Sequence, residues 1–136
     1  MRFFHVILIS AATVCIVSCS SFVLDTDFAS VRELESNTYI LQKDVLNNRQ
    51  VVMAKGKSVK IFVKSDTTWV KVYAYPSEED ILTSKRSLVL YIFDDEFPDK
   101  LFKRDYFDRK FAEYFAKENP ADAGKVKSKG KNSGRK

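Results

Sequence analysis

Histidine and cysteine are nearly missing from this chain of 136 residues. It has one histidine, His5, and two cysteines, Cys15 and Cys19, so residues 20–136 contain neither residue type. Ser-His-Asp and Cys-His catalytic sites need an imidazole base, and zinc is held mostly by Cys and His. The long C-terminal part therefore has no such site and no internal disulfide. We expect no catalytic residues, no metal, no cofactor and no enzymatic activity.

Glycine is also scarce, with four residues in all, and no Gly-rich phosphate loop or nucleophile elbow is present. The densest carboxylate cluster consists of Asp94, Asp95, Glu96 and Asp99. Such a cluster can bind calcium or supply an acid and a base. However, it lacks a glycine-punctuated loop, and acids just before a helix are favoured by the helix dipole. A structural role is therefore the stronger interpretation.

The N-terminal segment has the layout of an export signal. Arg2 is followed by an apolar stretch from Phe3 to Val17, which ends in Ile16-Val17-Ser18-Cys19. This ending resembles the relaxed lipobox of spirochaete-type bacterial lipoproteins. The resemblance implies removal of residues 1–18, acylation of Cys19 and membrane anchoring, and Ser20 after the cysteine implies the outer membrane, facing the periplasm. The alternatives are an ordinary secretory signal or an uncleaved anchor, although a spanning helix needs about 20 apolar residues.

The net charge of +5 comes from the C-terminal tail, because residues 19–120 are close to neutral. The tail holds one acid and six basic residues, which are Lys125, Lys127, Lys129, Lys131, Arg135 and Lys136. It is almost without apolar residues, so we expect residues 120–136 to be disordered. Behind an export signal, we expect the tail to bind anionic lipid, lipopolysaccharide, peptidoglycan or an acidic partner, and not nucleic acid. Alternatively, it only adds solubility.

Between signal and tail we expect a tether over residues 19–36 and one small domain over residues 37–119. The tether contains a predicted short helix that starts near Asp25, places Phe28, Val31 and Leu34 at a spacing of three, and ends near Asn37. A helix this short is not stable alone. It lies against the domain or acts as a spacer.

Alternating and β-rich segments predict strands over residues 38–45, 50–54, 58–64, 69–75 and 87–93, with turns at 47–48, 55–57 and 66–68. Gly56 is free to take positive φ in its turn. A short helical turn is predicted from Ser77. The last strand is continuously apolar, which indicates burial on both faces.

A C-terminal amphipathic helix is predicted from Pro98-Asp99 onwards, because one arc carries Leu101, Phe107, Phe111, Ala112, Tyr114 and Phe115. Phe102 and Tyr106 form a second contact surface or the edge of a wide buried stripe. The predicted fold is mainly β with α. It is a small antiparallel sheet or partial barrel packed against this helix.

The central hairpin is similar to that of bacterial SH3-like domains. The similarity lies in Gly56, in Val59-Lys60-Ile61 and in the segment from Asp66 to Val72, where one strand opens after a glycine turn and the next opens with Trp69. The later Gly-Trp pair of that pattern is missing. The resemblance implies an SH3-like sheet or partial barrel.

Candidate partner-binding residues lie on one strand. Trp69, Lys71, Tyr73 and Tyr75 alternate and so project to the same face. Aromatic and cationic side chains anchor interfaces. The alternative is a core role, in which these rings compete with the intervening apolar residues for the inside.

The order of features resembles type II secretion system-associated lipoproteins of spirochaetes. The resemblance rests on residues 37–44, on residues 55–61 and on the aspartate-rich exit at residues 91–97. It implies an outer-membrane-anchored accessory factor, similar to a pilotin, which binds secretion-system outer-membrane components. The alternative is an envelope-binding module that recognises peptidoglycan or lipopolysaccharide through an SH3-like face and the basic tail.

Overall fold

The structure is a computed structural model and describes residues 22–119. The predicted signal, the predicted acylation site Cys19 and the basic tail with Lys125, Lys127, Lys129, Lys131, Arg135 and Lys136 lie outside the described residues. Within residues 22–119, none of the helices has the length and apolarity needed to cross a membrane.

The described chain forms two helices and seven strands. The helices are α1 (Asp25–Arg32) and α2 (Arg104–Ala112). The strands are β1 (Thr38–Leu41), β2 (Val45–Asn47), β3 (Gln50–Met53), β4 (Ser58–Ser65), β5 (Trp69–Pro76), β6 (Ser87–Phe93) and β7 (Phe115–Lys117). Short 3₁₀ turns occupy Glu33–Ser36, Asp94–Glu96 and Pro98–Lys100.

Five strands form one sheet in the order β6-β5-β4-β1-β7, and all of its pairings are antiparallel. β2 and β3 form a separate hairpin. The long central pair has continuous register, from Val59 opposite Pro76 to Ser65 opposite Val70. The prediction of a mainly β fold with a small antiparallel sheet and helices is confirmed.

Strand alternation decides which residues enter the core. In β4, Val59, Ile61 and Val63 are buried, and Val70, Val72 and Ala74 are their counterparts in β5. Phe107 and Phe111 of α2 cover the same side. The sheet therefore has one packed inner face and one outer face.

The first helix is part of this core. Val23 and Val31 are buried with the inner residues of the sheet. Glu35, just beyond α1, accepts a hydrogen bond of 2.7 Å from the backbone N–H of Val63, and Arg104 of α2 donates one of 3.0 Å to Ser30. Of the two alternatives for the predicted helix, packing against the domain is the one observed. Residues 22–36 of the predicted tether therefore share the core of the domain.

The prediction of one long C-terminal helix from Pro98 was wrong. Helix α2 begins at Arg104, because Asp99 and Lys100 have positive φ and close a separate 3₁₀ turn. It ends at Ala112, and Phe115 reaches the core from β7. The predicted single helix and the observed helix followed by strand β7 both bury the same aromatic residues. Leu101 and Ala112, by contrast, are exposed.

Two further predictions in the second half were also wrong. Strand β6 is buried on one face only, through Leu90 and Ile92. The segment after Pro76 forms hydrogen-bonded turns without a helix, because Asp80 engages the local backbone, accepting a bond of 2.7 Å from the N–H of Leu82. Ser84 also donates to the Asp80 carbonyl, at 2.6 Å.

The turn predicted at 55–57 is confirmed, whereas the turn predicted at 47–48 lies one residue later, after Asn47 has ended β2. Gly56 has φ of +83° between β3 and β4. Asn48 and Arg49 both have positive φ in the β2–β3 connection, as a two-residue hairpin turn demands. The predicted strand over 38–45 divides into β1 and β2.

Candidate functional site

The outer face of β4, β5 and β6 is the candidate site. On this face β4 contributes Phe62 and Lys64, β5 contributes Trp69, Lys71 and Tyr73, and β6 contributes Leu88, Tyr91 and Phe93. Leu88, Tyr91 and Phe93 are exposed, with Phe93 at 44%. Burying large apolar groups is the main driving force of folding. A row of exposed apolar side chains on one face of a sheet therefore marks a candidate binding surface.

Lys71 lies at the centre of an aromatic cluster on this face. Its ammonium nitrogen is 4.1 Å from the ring centre of Trp69 and 4.5 Å from that of Tyr91. Trp69 and Tyr91 meet edge to face, and Phe93 is 4.3 Å from Tyr91 between ring centres. Cation–π contacts contribute about 0.5–1 kcal/mol each at exposed sites, so the lysine is held in place by its neighbours.

The charge of this face has one sign. Strands β4, β5 and β6 contain Lys60, Lys64 and Lys71 but no Asp or Glu. Moreover, Lys64 and Lys71 are directly opposite each other in the β4–β5 register. Like charges in directly opposed positions of a sheet destabilise it. A bound anionic group would remove this repulsion.

A second group of side chains extends the face towards the β5–β6 loop. Phe62, Lys64, Tyr73 and Arg86 line an open recess of about 230 Å³. The Arg86 guanidinium carbon lies 4.6 Å from the ring centre of Phe62, and the rings of Phe62 and Tyr73 are 6.5 Å apart. A guanidinium over a ring keeps its donors free to pair with carboxylate or phosphate. The recess thus has the same aromatic and cationic character as the Lys71 cluster.

The predicted partner-binding residues divide into two groups. Trp69, Lys71 and Tyr73 are partly exposed on the outer face, and their role as binding residues stays a prediction. Tyr75 follows the same alternation but is only 5% exposed. Burial, with the nearby negative charges of Glu35 and Asp80, raises the pKa of Tyr75 above its usual value. Tyr75 therefore does not belong to the accessible surface.

One member of the carboxylate cluster, Glu96, makes structural hydrogen bonds. Glu96 accepts hydrogen bonds from the backbone N–H of Phe93 at 3.1 Å and from the hydroxyl of Tyr106 at 3.3 Å. These bonds close the 3₁₀ turn at the end of β6. Across residues 22–119, no three His, Cys, Asp or Glu side chains are grouped so that they could hold a metal ion.

Several residues of the outer face were not predicted as site residues. Leu88, Tyr91 and Phe93 belong to the strand that was predicted to be buried on both faces, and Phe62 lies in the strand predicted over residues 58–64. Register is the signal that identifies them, because Lys71 lies opposite Tyr91 and Trp69 opposite Phe93. The bulge between Val72 and Tyr73 shifts this register. Alternation within one strand does not reveal such pairs.

The tyrosine on the inner side provides a contrast. Tyr39 of β1 is buried, and its hydroxyl donates to the carbonyl of Leu34 at 3.0 Å. Desolvation by burial raises the pKa of Tyr39 above its usual value. The inner aromatic residues are therefore structural, whereas those of the outer face remain accessible.

Comparisons with protein-family models, curated proteins and solved structures found no match for this chain.

Proposed function

We propose that this protein is a lipid-anchored, non-enzymatic binding protein of the cell envelope. In this proposal, Cys19 holds it at the outer membrane, and the outer face of β4, β5 and β6 binds a protein component of a type II secretion system. It acts as an accessory, pilotin-like factor. The observation that carries the proposal is the exposed aromatic and cationic outer face, which has no acidic residue on its strands.

The chemistry of this face specifies the partner surface. Aromatic and arginine side chains are enriched where interfaces bind tightly, and Trp69, Tyr91 and Arg86 supply both types. The opposed pair Lys64 and Lys71 favours acidic groups on the partner. We therefore expect an acidic segment of the secretion channel that also carries apolar anchors.

Strand β6 favours a protein over a polysaccharide. It forms an edge of the five-stranded sheet, its seven residues contain no charge, and β2 contacts only part of it. Natural edge strands are usually protected by charges, proline or a covering segment, because they otherwise pair with another chain. An extended segment of the partner can align with such an edge while its side chains meet the outer face.

The finer fold assignment belongs to the same proposal. We propose an SH3-like partial barrel, in which β4, β5 and β6 form the meander and β7 returns to β1 after α2. The turn at Gly56 and the start of β5 at Trp69 support this assignment. An experimental structure in which the β2–β3 hairpin does not close over the sheet would contradict it.

The alternative function is recognition of peptidoglycan or lipopolysaccharide by the same face. Flat aromatic rings beside Lys71 and Lys64 also suit sugars that carry carboxylates or phosphates. In this case binding would need no protein partner. The basic tail would add a salt-dependent contribution.

The test is capture from detergent-solubilised envelope with the tagged, acylated protein and its Tyr91→Ala and Lys71→Glu variants. Recovery of the secretion-channel subunit with wild type and its loss with both variants is the expected result. Leu82→Ala is the matched control, since Leu82 is 88% exposed in the β5–β6 loop. Equal recovery with all variants would contradict the proposed surface. Sedimentation with purified sacculi, lost in the same two variants, would favour the alternative.

A further inference from the structure

A second surface, at one end of the sheet, includes Phe22, where the described chain begins. We define the anchor-proximal patch as Phe22, Leu24, Leu101 and Phe102 with Lys100 and Lys103, which line one cavity of about 420 Å³. Thr67, from the β4–β5 turn, lies at the same cavity. The patch is therefore at the end of β5 where that strand begins.

The covalent chain places this patch next to Cys19. Phe22 follows Cys19 by three positions, and a fully extended chain spans at most about 3.6 Å per residue, so the two lie within about 11 Å. An acylated Cys19 lies in the lipid interface. The patch is therefore the part of the domain that the anchor holds closest to the bilayer.

Phe22, the first described residue, packs against the domain. The ring of Phe22 contacts Phe97 at 5.0 Å and Phe102 at 6.0 Å between ring centres, and Phe97 is buried in the core. Edge-to-face contacts of this kind stabilise a defined arrangement. Phe22 is thus tied to the domain, so the described chain begins at this patch.

The patch presents two large apolar side chains to its surroundings. Leu24 is 55% and Leu101 58% exposed. Leu101 follows Asp99 and Lys100, whose φ values are 57° and 54°, a conformation that aspartate tolerates and lysine rarely adopts. Hydrogen bonds of Lys100 to Phe97 and of Leu101 to Pro98 hold this loop. Strained backbone that displays an apolar side chain is a feature that points to function.

From these observations we infer that the anchor-proximal patch inserts into the lipid interface. Leu24 and Leu101 enter the boundary between headgroups and acyl chains, and Lys100 and Lys103 lie at the level of the headgroups. Asp27 and Asp94 line the same cavity and balance these two lysines. Insertion, and not net charge, therefore holds the patch to the membrane, and its depth is insensitive to salt.

This inference rests on the proposed lipid anchor, and the experiment tests the two separately. The acylated protein carries Leu101→Cys or, as a control, Leu82→Cys, each labelled with the fluorophore NBD. Leu82 lies in the loop beyond the far end of β5, and β5 itself spans about 23 Å from Trp69 to Pro76 at 3.3 Å per residue. Vesicles of phosphatidylethanolamine and phosphatidylglycerol contain a lipid spin-labelled near the headgroup.

Flotation with the vesicles is measured first, and failure to float would overturn the anchor and the patch together. When the protein floats, we expect several-fold stronger quenching by the spin-labelled lipid at residue 101 than at residue 82, unchanged in high salt. Equal quenching at both positions, or quenching of residue 101 by aqueous iodide instead, would overturn the patch and leave the anchor intact. Protection of residue 101 from both quenchers would show that the chain covers its own patch, which also contradicts the inference.

Discussion

Phe111→Ala is the substitution whose effect on stability follows most directly from the packing. Phe111 is 7% exposed and connects three elements through its ring. It meets Tyr39 of β1 edge to face at 5.2 Å and stacks on Phe107 of α2 at 5.8 Å and on Phe115 of β7 at 4.6 Å. Truncating a buried phenylalanine to alanine costs about 3–5 kcal/mol through lost burial and the cavity that remains.

Such a loss is a large part of the total unfolding free energy of a small domain, which is roughly 5–15 kcal/mol. The assay is urea unfolding of the mature chain with Cys19→Ala, followed by circular dichroism. Phe111→Leu is the matched variant, and because it keeps most of the apolar volume we expect a loss of only about 1–1.5 kcal/mol. Leu82→Ala, at an exposed position, is expected to stay within about 0.5 kcal/mol of the parent. A loss below about 1 kcal/mol for Phe111→Ala would refute the packing of α2 against β1 and β7.

Three further predictions concern the anchor, the tail and the buried phenols. Cys19→Ala is expected to abolish metabolic labelling with palmitate and to release the protein from the membrane fraction; labelling that survives would contradict acylation at Cys19. Deleting residues 121–136 is expected to leave the melting temperature unchanged and to weaken low-salt binding of the unacylated protein to anionic vesicles, since six of the basic residues are removed; a large drop in melting temperature would contradict a tail without native contacts. The raised pKa of Tyr39 favours the neutral phenol in the folded state, so its contribution is complete below the unfolded value of about 10 and is lost as the pH rises through the folded value. Tyr39→Phe is therefore expected to reduce the fall in unfolding free energy as the pH rises above about 10. An unchanged fall would contradict Tyr39 as its source.

The strands of the central meander could be predicted from the sequence because their pattern is local. Val59, Ile61 and Val63 alternate with polar residues, and Gly56 supplies the positive φ that the preceding turn requires. Alternation also separates the inner and outer faces of β5. These features depend on neighbouring residues alone, so no knowledge of the remaining chain is needed.

The second half could not be predicted in the same way, because its pattern fits two structures. Phe107, Phe111 and Phe115 are spaced by four, which suits a continuous helix, yet Phe115 enters the core from β7. Pairing of β7 with β1 is a long-range contact that overrides the local helical pattern. Likewise, the apolar run of β6 indicated burial on both faces, and only the sheet order shows that it forms an edge.

The residues of the candidate site on β5 could be predicted from the sequence, but the residues that β4 and β6 add to it could not. Trp69, Lys71 and Tyr73 followed from alternation, whereas their neighbours on β4 and β6 depend on register. Tyr75 shows the limit of alternation, because its face is outward while its side chain is buried. Whether an outward-facing side chain is accessible depends on whether residues distant in sequence cover it.

Site-specific photocrosslinking in intact cells would show whether the outer face of β4, β5 and β6 contacts the partner. A photoreactive amino acid at position 91 lies on the outer face, and the same group at position 82 lies in the exposed β5–β6 loop. The account predicts a crosslink between residue 91 and the secretion-channel subunit that disappears in the Lys71→Glu background, with none from residue 82. Crosslinking from residue 82 but not from residue 91, or from neither position while the acylated protein is present in the outer membrane, would contradict the assignment of the outer face as the partner-binding surface.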